Sequence, residues 1–183
     1  FISCTKLTSI VFPANLTKIP KSTFVNCGFI SFTIPNNVES IEKCCFKQCK
    51  KLKSITISDS VKYIGKKCFL ECTNLESITI QNGVKSIDGK CFSYCQKLKS
   101  IVIPDSVVTI EMFCFENCYN LNSVSIGSGL RYFDPSTFYG CNNLNSINIS
   151  KDSPYYFVDN GLIYTIDKAD IIFIPSNIFN ITL

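Results

Sequence analysis

The chain reads as a mostly β fold: a leucine-rich-repeat solenoid of about seven coils of roughly 23 residues. Short helical or 3₁₀ turns close the coils, and a C-terminal β-hairpin is inserted at the end. Three observations predict this. A Leu-type position recurs at Leu7, Phe29, Leu52, Leu75, Leu98, Leu121 and Leu144, a period at which each repeat forms one coil of a stack. Within each repeat, apolar and polar residues alternate over a short run, as in Ser54–Ser58, which is the pattern of a half-buried strand. Finally, 46% of residues are hydrophobic and only 17% charged, so a continuous core can form and disorder is not indicated.

The coil that starts at Leu52 serves as the type. Leu52, Ile55 and Ile57 point inward from its strand, and Asp59-Ser60 makes a turn. Val61 and Ile64 form a second apolar pair, matched by Val38/Ile41, Val84/Ile87 and Val107/Ile110. Cys68, Phe69 and Cys72 then return inward, and their spacing of three and four predicts a short helical or 3₁₀ turn. Stacked in register at roughly 4.8 Å per coil, the repeats give a rod roughly 30–35 Å long. Phe1, Phe24, Phe46, Phe69, Phe92, Phe115 and Phe138 become one aromatic spine.

Twelve cysteines suggest disulfides or zinc, but their placement does not. Cys4, Cys27, Cys49, Cys72, Cys95, Cys118 and Cys141 occupy one column. Cys45, Cys68, Cys91 and Cys114 occupy a second, completed by Thr23 and Thr137. Free Cys packs as a small buried hydrophobe, so the expectation is a structural thiol ladder with no metal. Bridges between rungs remain sterically open, because rung spacing overlaps the Cα separation of a disulfide. Glu42, Asp88, Glu111 and Asp134 form an acidic column read as partners of free backbone N–H groups, since Gly65 and Pro20 interrupt it as a cation site.

The chain has no His, which removes the Ser-His and Cys-His nucleophile pairs, and no Gly-rich phosphate loop. The expectation is a non-enzymatic segment without cofactors. No apolar run reaches membrane-spanning length. Lys and Arg outnumber Asp and Glu 13 to 6 over residues 1–92 and are outnumbered 5 to 8 over 93–183. That asymmetry steers an anionic partner toward one end but is too small for nucleic acid.

The candidate binding residues stand where the surface departs from the repeat. Lys21, Lys43 and Lys66 share one column, flanked by Lys67 and Lys90, and would suit a sulfated glycan or an acidic protein as well as a solvated face. Met112-Phe113 replaces the Lys, Gly, Pro or Ser of other coils. The Ser9-to-Ser146 and Thr33-to-Asn148 columns of the strand face read as mutually supporting ladders rather than as a groove. Beyond residue 150, Asn160-Gly161 is a strong hairpin-turn signal that should pair Tyr155–Val158 with Leu162–Ile166, with Ile171–Ile174 as a third strand. That insertion carries Tyr155, Tyr156 and Tyr164 as contact candidates. Sequons at Asn15, Asn148 and Asn180 are glycan acceptors if the chain is secreted.

The motif Leu75, Ile78, Ile80, Val84, Ile87, Phe92 and Cys95, repeated coil after coil over residues 1–150, resembles the BspA-type leucine-rich repeat. The segment 151–176, with its Val158-Asp-Asn-Gly-Leu-Ile-Tyr164 core, looks like that family's inserted hairpin, and 177–183 reads as the start of a further repeat. Phe1 already falls mid-repeat, so the expectation is a piece of a longer protein. The resemblance implies cell-surface or secreted display and binding of a protein ligand such as host extracellular matrix. Cys before the Phe, where many bacterial copies carry Ala, resembles the protozoan branch. The alternative is a cytoplasmic protein-interaction scaffold built from the same coils.

Overall fold

The computed structural model describes residues 1–168 and 170–173. In chain order its strands are β1 (Lys18–Ile19), β2 (Ser31–Thr33), β3 (Ser40–Ile41), β4 (Ser54–Ile57), β5 (Tyr63–Ile64), β6 (Ser77–Ile80), β7 (Ser86–Ile87), β8 (Ser100–Ile103), β9 (Thr109–Ile110), β10 (Ser123–Ile126), β11 (Tyr132–Phe133), β12 (Ser146–Ile149), β13 (Tyr156–Asp159), β14 (Leu162–Thr165) and β15 (Ile171–Phe173). The even strands up to β12 make one face of the solenoid and the odd strands up to β11 a second. On both, the strands stack parallel and in register, Ile55 beside Ile78 and Ile64 beside Ile87.

The second face is one continuous six-stranded sheet of two-residue strands. The first face is divided. The sheet β2-β4-β6 is not laddered to the sheet β8-β10-β12. Pro104, just past β8, lacks the N–H that Gln81 donates to Ile57 (3.0 Å) and Gly127 to Ile103 (2.9 Å) at the equivalent rungs. Residues 8–12, which carry the strand pattern of the first coil, form no strand beside β2. Between them the repeat is one residue short at Gly28. A Cβ there would lie 2.2 Å from the Thr5 carbonyl oxygen, so only glycine lets the tight corner close.

The third side of each coil corrects one sequence expectation. Cys68-Phe69-Cys72 was expected on a helical or 3₁₀ turn, but the described residues contain no helix. The segment is a run of overlapping β-turns. Cys68, Leu70 and Cys72 donate N–H back to Gly65, Lys67 and Phe69, while Lys67, Phe69 and Glu71 donate across to Gly89, Cys91 and Ser93 of the next coil. This alternation requires Lys67 and Glu71 to take positive φ (59° and 62°), as the third residue of a type II turn does. The same two columns have positive φ at Cys44, Lys90 and Phe113, and at Asn26, Gln48, Tyr94 and Asn117.

Inside the turns runs the core. Phe46, Phe69, Phe92 and Phe115 stack at 5.2–5.3 Å between ring centroids with planes within 11° of parallel. The stack extends to Phe138 at 5.5 Å and ends edge-on against Phe173 at 5.6 Å. The expected hairpin is present: β13 pairs antiparallel with β14 around Asn160-Gly161, and β15 adds a third strand. Its Ile163 is fully buried in the core, with Val158, Tyr156 and Phe173 packed against it, so the hairpin packs onto the last described coil. Ile174 and the proposed repeat start at 177–183 lie outside the described residues.

Candidate binding surfaces and relatives

Each thiol of the main cysteine column reaches back one coil to the carbonyl of the preceding Phe rung. Cys49 Sγ donates to Phe24 O at 3.0 Å, Cys72 to Phe46 at 3.2 Å, Cys118 to Phe92 at 3.2 Å and Cys141 to Phe115 at 3.0 Å. Those carbonyls also accept the turn amide three residues on, so the thiol occupies the second lone pair of an otherwise half-used buried acceptor. All twelve cysteines are free thiols in this structure; Cys4 is exposed, Cys44 half-buried and the rest buried. Burial pushes Cys49 up to about 12 and raises Cys72, Cys91 and Cys118 well above the usual thiol range. Groups held so firmly protonated are poor nucleophiles. Among the described residues no cluster of three or more His, Cys, Asp or Glu side chains is arranged to hold a metal ion.

Three of the four carboxylates of the acidic column are engaged within the protein. Asp88 accepts from the Gly89 amide (2.6 Å) and the Tyr63 hydroxyl (2.7 Å), Asp134 accepts from the Ser136 amide (2.8 Å), and Glu42 pairs with Lys18 (3.0 Å). Burial, then the Asp88 hydrogen bond, pushes the Tyr63 phenol up. With those carboxylates engaged, Lys21, Lys43 and Lys66 stand exposed on three successive coils, and none forms an ion pair among the described residues. Lys67 is half-buried beside them. Lys90 is tied down differently: its Nζ lies 3.2 Å from Glu116 and 4.9 Å from the centre of the Phe113 ring. Phe113 also meets Tyr139 edge-on at 6.1 Å, so of the expected apolar pair only Met112 is well exposed, at 49%.

In the hairpin, the Tyr156 hydroxyl donates to Arg131 O at 3.0 Å, and Arg131 covers the Tyr155 ring at 5.6 Å. Tyr164 stacks on Phe157 at 5.3 Å. Asn15 is exposed in a turn and Asn148 is exposed on β12; Asn180 lies outside the described residues. The structure also holds a cleft that sequence reasoning missed. About 560 Å3 in volume, it lies between the turns of the last full coil and β15 and is lined by Ser136, Phe138, Tyr139, Gly140, Asn142 and Phe173, among others.

A family model for the BspA type leucine rich repeat region matches six copies, over residues 1–93 and 62–182. The chain belongs to the BspA-type leucine-rich-repeat family. Among solved structures it is similar to a leucine rich cell surface protein from Faecalibacterium prausnitzii, at 34% identity and a TM-score of 0.64 over 66% of this chain and 32% of that one. A leucine-rich repeat protein from Bacteroides ovatus matches at 29% identity and 0.62 over 80% and 44%. Another from Eubacterium ventriosum matches at 20% and 0.74 over 81% and 39%, a likeness of fold alone. The chain thus spans less than half the length of each of these. No curated protein matches the sequence. Members of this fold present extended repeat surfaces of the kind used in protein interaction, and no helix among the described residues is long and apolar enough to cross a membrane.

Proposed function

We propose that the chain is a non-enzymatic protein-binding solenoid displayed at a cell surface or secreted, where it serves adhesion or host interaction. The observation that carries this reading is family membership together with 34% identity to a leucine rich cell surface protein. Two features of the surface support it. The buried thiols and the engaged carboxylates provide no activated nucleophile or acid–base pair. The unpaired Lys21, Lys43, Lys66 and Lys67 supply a linear cationic strip suited to a matrix protein with an acidic face or a sulfated glycan. Beads coated with the chain should bind host cells and immobilised matrix proteins saturably. The triple substitution of Lys21, Lys43 and Lys66 to Gln should remove the salt-sensitive part of that binding. A folded chain that ignores cells and matrix contradicts the reading.

One observation favours a second reading, a cytoplasmic interaction scaffold: twelve free thiols suit a reducing compartment. The intact mass of the protein from its own cells separates the two. Glycans at Asn15 or Asn148 support the secretory route, whereas a bare chain with every thiol alkylatable after unfolding supports the scaffold.

A further inference from the structure

We infer that a cleft at mid-stack, walled by Glu76, Lys97, Lys99 and Asn120, binds a carboxylated sugar, a uronate or a sialate. The cleft has a volume of about 400 Å3, and whole coils flank it on both sides. It opens where the solenoid gives up bonds that its other coils make. Asn74, Asn120 and Asn143 each donate a side-chain N–H to a carbonyl of the preceding coil, those of Lys50, Gln96 and Tyr119, at 2.6–2.7 Å. Lys97 stands in that column and replaces the donor amide with a free ammonium group. Two residues on, Glu76, Asn122 and Asn145 donate main-chain N–H to Lys53, Lys99 and Asn122. The amides of Lys99 and Ser100, by contrast, have no acceptor among the described residues, and β8 is not laddered to β6.

The lining side chains specify the ligand. Lys53, Glu76 and Lys99 alternate in sign along one column, yet Glu76, Lys97 and Lys99 form no ion pair among the described residues. Two ammonium groups call for an anionic group. The Glu76 carboxylate can only accept, and so can Asn120 Oδ1, whose amide nitrogen is already held by Gln96 O. Both call for O–H donors on the same ligand, and a sugar acid carries the anion and the hydroxyls on one ring. Sulfate has no donor to offer and meets the Glu76 charge, while a ligand ammonium would lie beside two lysines. No aromatic side chain among the described residues lines the cleft, so a nucleobase has no face to stack on. The volume is at the small end of ligand sites, about 300–1,000 Å3, which suits a terminal sugar rather than a long chain.

The site is separate from the lysine strip and goes beyond the protein-binding reading, so its test uses saccharides on the whole chain. Glucuronate, N-acetylneuraminate, glucose and sulfate are titrated into the ¹⁵N-labelled protein at constant ionic strength. The expected result is saturable shifts of the Lys99 and Ser100 amides and of the Asn120 side-chain amide with at least one sugar acid. Glucose and sulfate should give none, and the acid that binds identifies the sugar. The double substitution Lys97→Gln and Lys99→Gln, at exposed positions, should weaken binding roughly tenfold or more, in line with the loss of two charge-assisted hydrogen bonds. Glu76→Ala should weaken it too, opposite to the direction that charge alone predicts. No saturable shift with either acid, equal shifts with sulfate, shifts centred on Lys21, Lys43 and Lys66, or undiminished binding by the double variant would overturn the proposal. The shift map is read on the wild type, so it decides even if a variant proves unstable. Failure of matrix binding would leave this result standing, and the reverse.

Discussion

The turn side and the strand side of the same coils are held together in different ways. On the turn side, the stacked Phe rings, the thiol-to-carbonyl bonds and the alternating amide ladder run from coil to coil up to Phe138, with only the Phe113 amide donating to a side chain, Ser136 Oγ at 3.3 Å, in place of a carbonyl. On the strand side the ladder is absent before β2 and interrupted between β6 and β8. Yet the strand side has the cleaner strand pattern in sequence, Ser-Ile-Thr-Ile against turns of mixed composition. Alternation therefore identifies which residues face inward but not which face carries the cohesion. The inner column does that, because each buried Phe and Cys satisfies both packing and a backbone acceptor.

This contrast can be broken at several points. Alkaline pH should act mainly on the turn side, where the buried thiols stand, with a smaller contribution from the raised Tyr63 phenol on β5. The thiols' folded values lie above the ordinary 9.0, so they favour the protonated form, and the stability they contribute is complete below about pH 9 and lost as pH rises toward 12. Each such thiol contributes up to about 1.4 kcal/mol per pH unit. Urea midpoints measured at pH 7, 9 and 10.5 should therefore fall steeply in the last interval. The next largest effect is expected for Phe92→Ala, which opens a cavity between two parallel rings 5.2 and 5.3 Å away; about 3–5 kcal/mol should be lost in the same assay.

Cys95→Ala removes a thiol fully buried against Phe69 O and should lower stability by about 1–2 kcal/mol, while Cys4→Ala, exposed, should change it by less than about 0.5. Pro104→Ala restores the missing donor at the seam. The gain of one hydrogen bond and the greater freedom of the unfolded chain are each about 1 kcal/mol, so net stability should barely move, but a protected amide at 104 should appear by hydrogen exchange. A small stabilisation is expected for Lys67→Gly, which relieves positive φ at a side chain without a hydrogen-bond or ion-pair partner among the described residues and should gain less than about 1 kcal/mol. A loss there would argue against the turn geometry.

Much of this was legible from the residues. The period placed Phe69, Cys72, Ile55 and Ile64 in the core, and Asn160-Gly161 marked the hairpin that β13 and β14 form. The helical turn was misread because Cys68, Phe69 and Cys72 have the same spacing in a helix and in overlapping β-turns. What separates the two is positive φ at Lys67 and Glu71, and neither is the glycine that would signal it. The seam had a signal in Pro104, a residue unable to donate to a ladder. Lys90 and Phe113 looked like independent surface features, but their contact and the Glu116 pair depend on packing across 23 residues or more.

Residue-by-residue hydrogen exchange on the free chain tests the contrast most directly. The turn-side amides of Phe46, Phe69, Phe92 and Phe115 should be the most protected in the molecule. Across the strand-side seam, Lys99 and Ser100 should exchange far faster than their counterparts Glu76, Ser77, Asn122 and Ser123, which donate to the preceding coil. Equal protection on both sides of the coil, with no drop at Lys99 and Ser100, would contradict the account.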